Sequence, residues 1–169
     1  MNDARKLVME PRGDREIVIT RAFNARRALV WEAWTKPELL KRWLYGPDGW
    51  RLDVCDMDLR PGGQLRWVWR NNDGTEMGLR GTYKEVIPPD RIVHTELFDE
   101  DWTGGETLVT LTFEEQSGIT TVVMTVLYQS REAREGALIS GMDHGMGLGY
   151  DRMDGILEEL SATAAGAGR

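Results

Sequence analysis

Between Trp50 and Tyr128 the chain alternates six short segments with five turn signals, and this punctuation constrains the fold more than any other feature. The segments are WRLDVCDMDL, QLRWVWR, TEMGLRGTYKEVI, RIVHTELF, ETLVTLTFEE and ITTVVMTVLY; PGG, NNDG, PPD, DEDWTGG and QSG separate them. Parallel strands need a crossover of about a dozen residues or more, so connections this short join antiparallel neighbours. The stretch therefore reads as a meander. Side chains alternate across a strand, which puts Leu65, Trp67 and Trp69 on one face. Leu79, Gly81 and Tyr83 share a face of the next segment, and Val109, Leu111 and Phe113 share one further on. RIVHTELF is ambiguous because both of its faces carry apolar residues.

Helical signals flank the meander. REIVITRAF (15–23) reads as a β-branched strand. Asn24 is then the expected cap of a helix in ARRALVWEAW, and KPELLKRWL begins a second short helix near Pro37. The loop YGPDG (45–49) ends that pair. From Ser130 to Leu160 the period becomes helical, and Leu138, Met142, Gly145, Met146, Gly149, Tyr150, Met153, Ile156, Leu157 and Leu160 fall within an arc of about 140°. Within it, GMDHGMGLGYDRM (141–153) carries four glycines, each costing a helix interior about 1 kcal/mol relative to alanine. Gly145 and Gly149 lie on the apolar stripe, where a missing side chain leaves room for a neighbour or a guest; Gly147 lies on the polar side with His144. The expected architecture is α+β: a curved antiparallel sheet of about seven strands, two short helices after the first, and one long helix across the sheet. Residues 15–160 form a single domain in this reading, with 1–14 a flexible segment and 161–169 a disordered tail.

Composition narrows the function. A net charge of −7 argues against a nucleic-acid surface, which needs clustered Lys and Arg. No apolar run is long enough to span a bilayer, and the first residues carry no secretory h-region, so a cytoplasmic location without membrane insertion is expected. The single cysteine, Cys55, reads as a buried inert thiol. Two histidines fifty residues apart make no metal-ligand spacing, so neither metal nor cofactor is expected. Seven tryptophans in 169 residues is the unusual number, since most need a buried or ligand-facing home.

The order of elements, together with "AFNARRALVWEAWTKPELLKRWLYGPDGW" (22–50), "DLRPGGQLRWVWRNNDGTEMGLRGTYKEVIPPDRIVHTE" (58–96) and "TTVVMTVLYQSREAREGALISGMDHGMGLGYDRMDGILEEL" (120–160), resembles the START-like superfamily, also called SRPBCC or helix-grip. Within it the chain is most similar to the bacterial single-domain branch related to the activator of heat-shock-protein-90 ATPase. The resemblance implies a sheet of seven strands gripping the last helix, with an apolar cavity between them. It implies no fixed set of catalytic residues.

The candidate ligand-binding residues are Trp67, Trp69, Leu79, Tyr83, His94, Val109, Leu111, Met142, Met146, Gly149 and Met153. Aromatic walls and flexible thioethers suit a pocket that repacks around apolar guests. His94 and Glu96 share one strand face; turned inward, with Tyr83, they are candidates for proton transfer. The plainer register turns Val93, Thr95 and Leu97 inward and leaves the pair facing out. Trp102, beside the acidic run 99–101, is a candidate lid.

Three functions follow in order. The first is a binding protein for a small hydrophobic molecule held between sheet and helix. The second is a cyclase- or hydrolase-like enzyme using the same cavity. The third, an interaction module stimulating the chaperone ATPase, ranks lowest, and a homodimer is left open.

Overall fold

The computed structural model describes residues 5–167. Its elements run β1 (Val8–Arg12), β2 (Glu16–Phe23), α1 (Arg27–Thr35), α2 (Pro37–Trp43), β3 (Trp50–Met57), β4 (Gln64–Asn71), β5 (Glu76–Ile87), β6 (Arg91–Phe98), β7 (Thr107–Gln116), β8 (Ile119–Leu127), α3 (Arg131–Leu138) and α4 (Met142–Ala167). All strand pairs are antiparallel, in the order β1-β2-β8-β7-β6-β5-β4-β3. The meander from β3 to β8 is as expected, and β2 closes onto its last strand with Ile17 opposite Val126 and Ile19 opposite Met124.

The sheet has eight strands instead of about seven. The extra one is β1, which lies in the segment expected to be flexible; it pairs Val8 with Thr20 and Arg12 with Glu16 along the edge of β2. Its residues are mostly exposed, so apolar alternation gave little sign of it, and main-chain pairing to a neighbouring edge carries it instead. At the other end α4 runs on through Ala167, into the expected disordered tail. The sequence SATAAGA is rich in alanine, the best helix former. Residues 1–4 and 168–169 of those two flanks lie outside the described residues.

Two local expectations change. Asn24 does not cap α1, which starts at Arg27 with Arg26 as its N-cap and no side-chain bond there. The long helix is two helices, because Gly141 takes φ 81° between α3 and α4, a left-handed backbone suited to glycine. Ser130 does cap α3, its side chain accepting from the Ala133 N–H at 3.1 Å.

The core lies on the concave inner face. Leu65, Trp67, Leu79, Tyr83, Leu111 and Phe113 are buried there, as strand alternation requires. Over this face α4 comes closest, backbone to backbone, to α1 and α2 and not to the strands. Gly149 explains the close approach: a Cβ there would lie 3.1 Å from the carbonyl oxygen of Trp43. The missing side chain thus makes room for α2, not for the sheet. Around this point Trp34 and Trp43 pack with ring centroids 4.9 Å apart, and Tyr150 lies 5.5 Å from both Trp34 and Phe23. Buried Arg21 fixes the outer side of α4, donating to Asp154 at 2.6 and 3.0 Å and to Asp151 at 3.3 Å.

The glycines of α4 therefore differ in what substitution does. Gly147 is helical with nothing within 4 Å of an added Cβ. Gly147→Ala is expected to stabilise by about 0.4–1 kcal/mol through helix propensity and lower unfolded-state entropy. Gly149→Leu should cost about 1–3 kcal/mol or more by overpacking against Trp43. Denaturant midpoints of the two variants check this; equal shifts would refute the assignment.

Candidate functional site

Beyond Tyr150, towards its N-terminal end, α4 stands off from the sheet and leaves a cavity of about 500 Å³. Its floor is the inner face of the strands: Trp67 and Trp69 on β4, Leu79 and Tyr83 on β5, Ile92, His94 and Glu96 on β6, and Leu111 on β7. Met124 and Val126 of β8 continue it, followed by Tyr128. Its roof is Met142, Gly145, Met146 and Gly149 of α4, and Trp34, Trp43 and the loop at 44–47 form the back wall. Pro47, Met77, Trp102 and Gly145 border the cavity and are also exposed, so they mark its mouth. Trp102, the candidate lid, is 53% exposed and packs on Phe98 with centroids 4.9 Å apart.

Nine of the eleven candidate ligand-binding residues border this space, all but Val109 and Met153. Val109 is buried between His94 and Val126, its register partners on β6 and β8. Met153 is fully buried, one turn past Gly149 where α4 has closed on its neighbours. Both fill core. The strand RIVHTELF takes the register opposite to the plainer one: His94 is 4% exposed, and Glu96 joins it on the cavity side. Val93 and Thr95 are buried as well, on the other face, which is why the alternation of this strand was uninformative.

Several lining residues escaped the sequence reading, chiefly Trp34, Trp43, Tyr45, Trp50 and Tyr128. The helix and loop residues face the cavity only because α1 and α2 fold over the sheet, which no strand period records. Tyr128 was within reach, since Met124, Val126 and Tyr128 alternate on one face. The count of seven tryptophans was the available signal: six of them, all but Trp31, border the cavity.

The polar features are few. His94 Nε2 lies 2.9 Å from Glu96 Oε2. An ionised carboxylate only accepts, so this contact places the ring proton on Nε2. Nδ1 of the same ring is buried without a partner, as is Nε1 of Trp67. The other indoles are better served: Trp43 Nε1 donates to the Ala33 carbonyl at 2.9 Å and Trp69 Nε1 to that of Leu44 at 2.7 Å. The second bond, with Arg152 donating to the Gly46 carbonyl at 2.8 Å, holds the loop at 44–47 in place as a wall. Burial lifts the phenols of Tyr83 and Tyr150 well above the ordinary tyrosine range. Tyr128 is pushed up to about 12, by burial first and by the Glu96 charge second. These hydroxyls are therefore donors at neutral pH and poor bases. His144 is exposed on the outer side of α4, away from the cavity. Among the described residues, no three His, Cys, Asp or Glu side chains gather as a metal site. No helix among them is long and apolar enough to cross a membrane.

Residues 24–158 match the family described as activator of Hsp90 ATPase homolog 1-like protein. The chain belongs to this family. A crystal structure of a protein from Rhodobacter sphaeroides is similar at 36% identity and TM-score 0.87, over 91% of this chain and 99% of that one. One from Mycobacterium smegmatis is similar at 25% identity and TM-score 0.77, over 89% of this chain and 96% of that one. An AHSA1-like protein from Aeromonas hydrophila shares the fold at 20% identity and TM-score 0.69, over 83% of this chain and 93% of that one. No protein in the search of curated proteins matches the chain. This activator-homologue fold supplies the frame, and the side chains of this chain decide what the frame holds.

Cys55 lies on the inner face of β3 opposite Trp67, buried without bordering the cavity, with Sγ 3.8 Å from Met57 Sδ. Burial pushes its thiol up to about 11. A raised folded pKa favours the folded state fully below the unfolded value of about 8.5, and that contribution fades as pH rises through the folded value. At pH 8 a thiol reagent should therefore label Cys55 only at the rate of unfolding, and in denaturant at once. Fast labelling of the native protein would refute its burial.

Proposed function

We propose that this chain binds a small, largely apolar molecule in the cavity between the sheet and the first turns of α4. The observation that carries the reading is the wall itself: six tryptophans and five methionines (Met57, Met77, Met124, Met142 and Met146) around about 500 Å³ of space. That volume lies in the usual range for small-molecule sites, which are mostly apolar with a few placed polar groups. Flexible thioethers on roof and floor let the wall repack around guests of different outline. Large aromatic side chains could have filled the space, yet they surround it.

A second reading is supported by one observation, the His94–Glu96 contact on the cavity floor beside Tyr83. A carboxylate that orients an imidazole is a competent arrangement for proton transfer to a bound molecule. Cys55 does not border the cavity and its thiol is held protonated, so nothing favours thiol nucleophilic catalysis there. Activation of a chaperone ATPase has no surface feature in its favour and ranks below both.

The test uses Nile red, a neutral apolar reporter, with a Kd expected in the micromolar range as a rough estimate for a loosely tailored pocket. Gly145 borders the cavity and Gly147 does not, and neither has an atom within 4 Å of an added Cβ. Gly145→Phe should weaken binding by about tenfold or more, and Gly147→Phe should leave it close to wild type. Equal effects, or no saturable binding to the wild type, would remove the proposal. Turnover of an ester or lactone that disappears in His94→Ala would move the assignment to the second reading.

A further inference from the structure

The charge distribution around the cavity is one-sided. Among the described residues that border it, none is Lys or Arg, and Glu96 is the single carboxylate. Glu96 is only part-buried, with its side chain 21% exposed, and one of its oxygens, Oε2, meets His94. The other, Oε1, has no hydrogen-bond partner among the described residues. The Glu96 charge reaches both Tyr83 and Tyr128, and no cationic side chain borders the cavity to offset it.

Aromatic side chains border the same cavity as this lone charge. Phe98 follows Glu96 by two residues on the same face of β6, and Trp102 packs on Phe98 at the mouth. Tyr83 and Trp67 lie with ring centroids 5.9 and 6.3 Å from the ring of His94. Aromatic faces carry negative electrostatic potential and attract organic cations, the more so when water is excluded. A carboxylate or phosphate entering the same space meets Glu96 and those faces with no positive partner, at a desolvation cost nothing repays. The whole chain adds to this bias, because a net charge of −7 favours the approach of cations over anions.

We infer that the cavity selects lipophilic organic cations, amines or quaternary ammonium compounds with an apolar body, with Glu96 as counter-ion and the surrounding rings as the cation's cage. This rests on the reading of the cavity as a ligand site, and it names the chemical class that the site takes. Tyr45 shows the same chemistry from outside, where the guanidinium of Arg152 sits 3.7 Å from its ring centroid. The Glu96 charge is retained for a partner that arrives with the ligand, since His94 occupies only one of its two oxygens.

Three probes sharing one naphthalene body separate the possibilities by calorimetric titration: one carries a trimethylammoniomethyl group, one a hydroxymethyl group and one a carboxylate. The quaternary ammonium is charged at every pH, so its own titration does not enter. The wild type should bind the cation about tenfold or more tighter than the neutral probe, and the carboxylate weakest. Glu96→Gln, which keeps shape and removes charge, should bring the cation to within about threefold of the neutral probe measured on the same variant. Neutral and cationic probes of equal affinity would overturn the inference and leave the apolar site standing. A cation preference undiminished in Glu96→Gln would overturn the role of Glu96. Failure of all three probes on the wild type would remove the ligand site itself. Should Glu96→Gln fail to fold, the wild-type ranking decides alone, and a carboxylate bound as tightly as the cation overturns the inference.

Discussion

The contact between Gly149 and the carbonyl of Trp43 sets the geometry on which the rest depends. It lets α4 meet α2 at backbone distance at one point along its length. Phe23, Trp34, Trp43 and Tyr150 close around that point in edge-on and tilted ring contacts. Beyond it, Met153, Ile156 and Leu157 bury completely or nearly so, and Arg21 ties the outer flank to Asp151 and Asp154. In those ion pairs a buried guanidinium meets one exposed and one half-buried carboxylate, so their chief effect is to leave the buried guanidinium with partners. The other end of α4, from Met142 to Gly149, extends past the pinned region and roofs the cavity.

Pinning at one end also explains why a chain rich in large side chains keeps a void. Protein interiors are close-packed, and a gap lined by aromatic rings forfeits dispersion contacts on its open side. Here α1, α2 and the loop at 44–47 act as a strut: Trp69 holds the loop from the sheet, and Arg152 holds it from α4. Two buried nitrogens on the floor, Trp67 Nε1 and His94 Nδ1, have no side-chain or backbone partner among the described residues.

Membership in the activator-homologue family accounts for the frame but not for the contents. The family match covers 24–158, from the end of β2 through most of α4. It spans the elements that enclose the cavity, and a shared fold of this kind hosts unrelated functions. The distinguishing chemistry lies in single side chains: Glu96 without an opposing cation, His94 beside it, and indoles on three sides.

Much of this was written in the sequence. Turn residues at short spacing dictated an antiparallel meander, because no crossover fits in three to seven residues. Period two then placed Trp67, Trp69, Leu79, Tyr83 and Leu111 on inner faces, since a pleated strand offers only two sides. The same logic was silent for β6, whose two faces are both buried, so only the pairing of β6 with β5 and β7 turned His94 and Glu96 inward. It was silent also for β1, held through main-chain atoms that every residue possesses. The glycines of α4 were visible as an anomaly, but their separate purposes were not. Gly149 answers to a carbonyl more than a hundred residues earlier in the chain, Gly141 to a left-handed turn, and Gly145 to open space. Local sequence fixes which way a side chain leaves its own backbone; what it meets there depends on segments far away, and only the folded chain brings those together.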